Sequence, residues 1–402
     1  MNIKKILLVS GILLLGSYPN TTSLRASIFK FKKRVLEQSY IRATLGSSIL
    51  KDKWPSSISQ ESKNYSVDFT INQKLQNFVK KRMRTYRPDH IAVVVIDNNT
   101  GKVLSSVDYD RKTKKYGNRL TLSSTHPAAS VFKIVTAAEL VKQSEIEPET
   151  KFKFTGRSTT LYKYQLKKPK RWIRKHSLNK AFALSNNVVF GKAAMKHLYA
   201  TDLIKMADAM GFHKSLLDEV DLGKSVTYIP SNLYGLAELA SGFNRKTMIS
   251  PMHGAVIASI IANEGVLVRP YIIDNVFEEG TLSSVWSGTE HKESVMDTEV
   301  ARDLENMMNA TVVRGTATSA FRTMRRSKLW KKIRVGGKTG TITGGLPYGK
   351  RDWFVAFAKP LHKDDKGISI CVMIVNKKKW YVRSSVFAQQ LIEYYYRNVD
   401  KV

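Results

Sequence analysis

A chain of 402 residues is long enough for one large core or two domains, and 43% hydrophobic with 10% aromatic residues excludes a disordered chain. Lys and Arg number 66 against 33 Asp and Glu, and the net charge of +33 favours polyanionic surroundings: nucleic acid, anionic headgroups or acidic wall polymers. The charge is scattered along the chain, so it marks an environment and not a site.

The first element, Met1 to Lys5, is a basic n-region, and the run from Ile6 to Gly16 is apolar. Such a run suits a secretory h-region and is short for a bilayer span, so 1–18 reads as a signal peptide or short membrane anchor. No cysteine lies nearby, which excludes a lipoprotein. Residues 19–64 are basic and Ser-rich and read as a linker or tether, with a folded domain over 65–402. Val67 to Asn72 leads into an amphipathic helix from Gln73 to Lys81, with Leu75, Phe78, Val79 and Met83 on one side. Ile91–Ile96 and Lys102–Val107 are strands around the turn Asp97–Gly101. From about 127 to 263 the pattern is helical, in Pro127–Val141, Ser177–Leu198 and Pro251–Asn263. Strands return at 333–342, 352–359 and 368–376, and a helix from Ser384 to Arg397 closes the chain. The lone Cys371 cannot form an intrachain disulfide and sits in an apolar strand, where a core role is expected. Strands at both ends with helices between them predict one α+β domain with a single antiparallel sheet.

Three short motifs carry chemistry: Ser130-Val131-Phe132-Lys133, Ser185-Asn186-Asn187 and Lys338-Thr339-Gly340. An apolar helix puts Ser130 and Lys133 one turn apart on one face. A serine hydroxyl needs a base to become a nucleophile, and a lysine amine serves only when desolvation or a nearby cation lowers its pKa. Val131, Phe132, Ile134 and Val135 supply the apolar setting, and Lys338 is the candidate cation. Ser185, between two helical patterns, suits a hydroxyl relaying a proton to a leaving amine, with Lys338 behind it. The Asn187 amide can hold Lys133 or a substrate carbonyl. Gly340 admits the backbone of a substrate added as a strand, and Lys338 with the Thr339 and Thr341 hydroxyls can bind a terminal carboxylate. The backbone N–H groups of Ser130 and Thr341 are the candidate oxyanion hole. This chemistry calls for no cofactor and no metal.

S-x-x-K occurs three more times, at Ser27, Ser48 and Ser177, and S-x-N recurs at Ser62 and Ser177, whereas K-T-G occurs once. Only the copy at Ser130 combines an apolar helix, a loop S-x-N and a strand K-T-G in that order. In that order the motifs resemble those of the transpeptidase domain of penicillin-binding proteins, above all the monofunctional, class B-like group. The resemblance extends to Asp68–Gln76, Asn99–Leu104, Ile261–Gly265 with Arg269-Pro270, Val313–Ala317 and Asp352–Val355. It implies a β-lactamase/transpeptidase-like fold: an antiparallel five-stranded sheet flanked by helices, with a mostly helical subdomain. It also implies a serine acyl-enzyme that cross-links peptidoglycan stem peptides, is acylated by β-lactams, and works outside the cytoplasmic membrane near other cell-wall synthesis proteins. Ala129 stands where the family more often has glycine, and only about 50 residues separate the signal-like segment from the core, where that group commonly carries a long pedestal domain. The nearest alternatives are a D,D-carboxypeptidase, a β-lactamase-like hydrolase, and a non-catalytic β-lactam sensor or scaffold. The basic, aromatic stretch Tyr162–Lys175 reads as a solvated or glycan-facing loop, with no nucleic-acid partner expected of an exported chain.

Overall fold

The computed structural model describes residues 39–402 apart from 61, 144–145, 169–170, 221, 282–283, 289 and 362–364. The expected signal or anchor over 1–18 and the first part of the expected tether lie outside the described residues. Residues 39–50 are helical (α1). They are followed by β1 (Ser57–Gln60), β2 (Lys63–Phe69), α2 (Gln73–Tyr86), β3 (His90–Asp97), β4 (Val103–Asp110) and β5 (Lys115–Gly117). The helical middle holds α3 (Lys133–Lys142), α4 (Leu178–Ala183), α5 (Asn187–His197), α6 (Ala200–Ala209), α7 (Leu233–Ser241) and α8 (Pro251–Ala262). Then come β6 (Ile273–Glu278), β7 (Ser284–Ser287), α9 (Thr298–Arg314), β8 (Ile333–Gly344), β9 (Gly349–Pro360), β10 (Ile368–Asn376) and α10 (Ser384–Asn398).

The central sheet runs β8-β9-β10-β3-β4-β5, all antiparallel. The five expected strands are present, and the three-residue β5 adds a short sixth at one edge. The inner strands are buried on both faces, which is why they read as continuous apolar runs. In β3, Ile91, Val93 and Val95 pack with Leu75, Val79, Phe387 and Leu391 of α2 and α10. Ala92, Val94 and Ile96 face the other way, into the core built around α8. Every residue of α8 is buried, and its start is set by Pro251 with Ser250 accepting from the His253 N–H. Gly254 lets α8 settle on the sheet, because a Cβ there would lie 2.8 Å from the buried Cys371 sulfur.

Two expectations change. The tether ends earlier than residue 64, because from residue 39 the chain is packed structure. Ile41, Leu45 and Ile49 of α1 are fully buried, and β1 and β2 join β6 and β7 in a second sheet. The i,i+4 apolar period is present, but Arg42, Gly46, Ser47 and Ser48 between its members obscure it. Pro127 does not open the helix either. It pairs with Met248 in a two-residue strand, a 3-10 turn (Ala129–Phe132) follows, and α3 begins at Lys133. Among the described residues no helix is long and apolar enough to cross a membrane.

Leu45→Ala is expected to lower the unfolding free energy in urea by about 2–5 kcal/mol, the range for emptying a core leucine site. A tether residue would show no such loss.

Candidate active site

Ser130 lies on the 3-10 turn and Lys133 is the first residue of α3, so one turn separates them. Lys133 is fully buried. Its Nζ lies 2.9 Å from Ser130 Oγ, 2.6 Å from Asn187 Oδ1 and 2.5 Å from the Ser241 carbonyl. Asn187 donates through Nδ2 to the Thr159 carbonyl at 2.9 Å, which leaves Oδ1 as the acceptor facing the lysine. Asn187 Oδ1 and the Ser241 carbonyl can only accept. A neutral amine therefore satisfies both with its two hydrogens and turns its lone pair toward the Ser130 hydroxyl. Burial, followed by the charge of Lys338, holds the Lys133 pKa well below the ordinary lysine value.

The second motif sits between α4 and α5, as its loop reading required. Ser185 has φ +54°, and Asn186 caps α5 by accepting from the Val189 N–H. Lys338 reaches in from β8, with Nζ 2.9 Å from Ser185 Oγ and 2.8 Å from the Thr339 carbonyl. Burial brings its pKa down to about 7. Thr339 and Thr341, two residues apart on β8, share a face and line the cleft with Ser130, Ser185 and Asn187. That cleft has a volume of about 960 Å³. Gly340 brings β8 against the nucleophile, since a Cβ there would lie 3.4 Å from both Ser130 N and Ala129 Cβ. Every residue anticipated for the site is thus gathered around one cleft.

Other contributors carry no motif. The Ser241 carbonyl, at the end of α7, is the third partner of Lys133. Gly242, next to it, has φ +64°, and a Cβ there would lie 1.8 Å from the Ala129 carbonyl oxygen. Ala129 itself has φ +51°, the region glycine favours, where the family more often places glycine. Thr316 Oγ1 lies 2.5 Å from Thr339 Oγ1. Behind the nucleophile, the buried Arg351 donates to His126 Nδ1 at 3.1 Å and to the Pro347 carbonyl at 2.8 Å. Burial and that guanidinium push His126 down to about 3, so the ring is neutral and donates from Nε2 to the Leu120 carbonyl. Trp353 Nε1 donates to the Pro127 carbonyl at 3.1 Å. Strand β9 therefore grips the segment immediately before Ser130.

The fold and this gathering of serine, lysine and asparagine are of the kind found in the penicillin-recognising transpeptidase class. The penicillin-binding protein transpeptidase domain matches residues 91–391, and the chain belongs to that family. Stage V sporulation protein D of Bacillus subtilis is 22% identical over 339 residues, which are 78% of this chain and 50% of that protein. The peptidoglycan D,D-transpeptidase PbpA of Mycolicibacterium smegmatis is 23% identical over 350 residues, 77% of this chain and 67% of its own length. The chain thus spans about half the length of the first relative and about two thirds of the second. Penicillin-binding protein 3 of Mycobacterium tuberculosis superposes with a TM-score of 0.69 at 18% identity, covering 85% of this chain and 82% of that one.

Gly242→Ala is expected to cut acylation of Ser130 by more than about tenfold and to lower stability by about 1–3 kcal/mol, because the new Cβ displaces the Ala129 carbonyl. Ala129→Gly, which relieves the same backbone region, keeps both. Lys338→Met removes the cation that opposes protonation of Lys133. The rising limb of acylation rate against pH then moves to higher pH, and a move to lower pH would contradict this electrostatic coupling.

Proposed function

We propose that this protein is a peptidoglycan D,D-transpeptidase working through a Ser130 acyl-enzyme. The observation that carries the reading is the Lys133 amine, whose hydrogens are taken by Asn187 Oδ1 and the Ser241 carbonyl so that its lone pair faces Ser130. Lys133 accepts the Ser130 proton as Oγ attacks the penultimate D-Ala carbonyl of a stem pentapeptide. Negative charge on the carbonyl oxygen falls to the N–H groups of Ser130 and Thr341, which β8 brings close together at Gly340. Ser185 passes a proton to the departing D-Ala amine and is resupplied from Lys338, whose pKa of about 7 suits transfer in either direction. The Oγ–acyl bond has then replaced the peptide C–N bond. In the second half the amine of a neighbouring stem attacks the ester and gives its proton back through Ser185 to Lys338, a C–N bond replaces the Oγ–acyl bond, and Ser130 recovers its proton from Lys133. The terminal carboxylate of the donor is held by the Thr339 and Thr341 hydroxyls near the Lys338 charge.

The charge of the chain and its apolar leader support an exported enzyme, at the outer face of the cytoplasmic membrane or in the periplasm, near anionic wall or lipid surfaces and other synthesis proteins. The folded unit of this reading begins at α1. Relatives named as D,D-transpeptidases and the penicillin G acyl-enzyme complex of penicillin-binding protein A support the same chemistry.

A fluorescent penicillin is expected to label the protein stoichiometrically at the peptide containing Ser130. Ser130→Ala abolishes the label and Lys133→Ala slows labelling at least about a hundredfold, the scale of lost general-base catalysis. Label on another residue defeats the proposal. Rapid release of hydrolysed penicillin would instead assign a hydrolase and direct attention to Glu238, the half-buried acid lining the same cleft.

A further inference from the structure

Between Glu149 and Asp202 the sequence holds no acidic residue and thirteen Lys and Arg. Among its described residues the same stretch exposes five large apolar side chains, four of them close together in sequence: Tyr162, Tyr164, Trp172 and Ile173, with Tyr199 further on and Trp172 88% exposed. Trp172 also has φ +50°, an uncommon conformation for a bulky residue, and one that the surrounding structure must hold. An exposed indole in a strained backbone brings no folding advantage, and such features mark binding surfaces.

Tyr164, Trp172 and Ile173 line a second cleft of about 640 Å³ together with Thr155, Gly156 and Arg174. The cleft is built and not incidental. Gln165, fully buried, donates to the Thr155 carbonyl at 3.3 Å and the Arg157 carbonyl at 3.0 Å, and accepts from Thr160 Oγ1 at 3.0 Å and Tyr162 N at 2.9 Å. The Tyr162 and Tyr164 rings stack with an interplanar angle of 10°. Arg174 donates to the Gly156 carbonyl and lies 4.7 Å from the Phe154 ring centroid. Exposed Lys167, Lys168 and Arg171 add positive charge.

One chain segment, 155–159, contributes to both this cleft and the catalytic one. Thr159 lines the catalytic cleft, and the Ser158 and Thr159 carbonyls hold Asn187 through its N–H at 2.7 Å and its Nδ2 at 2.9 Å. Thr155 and Gly156, three to four residues earlier on the same segment, line the second. The two clefts are thus built on neighbouring residues of one segment, the arrangement that a polymer with a side branch requires.

We propose that this aromatic and basic cleft docks the glycan strand of uncross-linked peptidoglycan, an inference that rests on the transpeptidase reading. Pyranose rings offer flat C–H faces that stack on indole and phenol rings. The carboxylates of the stem peptides along the strand complement an acid-free surface. The full chain and its Trp172→Ala variant are compared for binding to three probes. These are soluble glycan strands bearing pentapeptide stems, the same strands stripped of stems by an amidase, and a single-stranded oligodeoxynucleotide of matching length. Trp172 is almost fully exposed, so its loss leaves the fold intact. Stem-bearing strands are expected to bind the variant roughly tenfold more weakly, the scale of one lost aromatic contact. Stripped strands keep the Trp172 dependence with less salt sensitivity. The rate of penicillin labelling at Ser130 stays unchanged in the variant. Equal strand affinity in the two proteins overturns the proposal, as does an oligonucleotide that binds more tightly than strands and depends on Trp172. Trp172-dependent strand binding without any penicillin labelling would support the docking site and defeat only the catalytic reading.

Discussion

Two lysine amines buried in one cleft without a carboxylate partner are the constraint around which the rest of the molecule is arranged. Lys133 and Lys338 are both fully buried, and among the described residues each is held only by neutral oxygens: hydroxyls, an amide and backbone carbonyls. A carboxylate would fix either lysine in its charged form and remove its capacity to exchange protons. Neutral acceptors instead satisfy the N–H groups and leave protonation easily reversed. The charge of Lys338 adds to burial in disfavouring a charged Lys133, so the neutral amine is the favoured form beside Ser130.

Holding such a pair takes several elements that meet at one place. Helix α3 supplies Lys133, the end of α7 supplies the Ser241 carbonyl, the α4–α5 loop supplies Ser185 and Asn187, and edge strand β8 supplies Lys338. Their relative positions are locked by contacts that are not themselves chemical. Arg351 and Trp353 of β9 bind the His126-Pro127 segment, and Gly242 lets the turn after α7 touch the Ala129 carbonyl. The sheet thus acts on the nucleophile from behind, through a neutral histidine and a buried guanidinium.

The site was largely legible in the sequence because its reactive groups are side chains in short motifs with recognisable flanks. Ser130, Lys133, Ser185, Asn187 and Lys338 were placed by order and context, and the sheet strands by their apolar runs. What escaped notice works through the backbone. The Ser241 carbonyl could belong to any residue, and the positive φ of Ala129 and Ser185 leaves no mark in composition. Arg351 and His126 are 225 positions apart, so only the folded chain shows them as partners. Helix α1 is hard to see in the sequence because Gly46, Ser47 and Ser48, poor helix formers, interrupt its apolar period. The two-residue strand at Pro127 was read as a helix start because proline is common at both.

Strand β8 stands at the edge of the central sheet, and among the described residues no further strand covers that edge. The same open backbone is a template for the edge of any other chain. Arg245 partly closes it by donating to the Thr343 carbonyl at 2.6 Å, and Lys350 and Arg383 stand at the rim of the same cleft. These cations repel like-charged copies at that edge while leaving the cleft attractive to anionic groups. The strong positive charge of the chain thereby acts as protection against self-association, and salt that screens it weakens that protection.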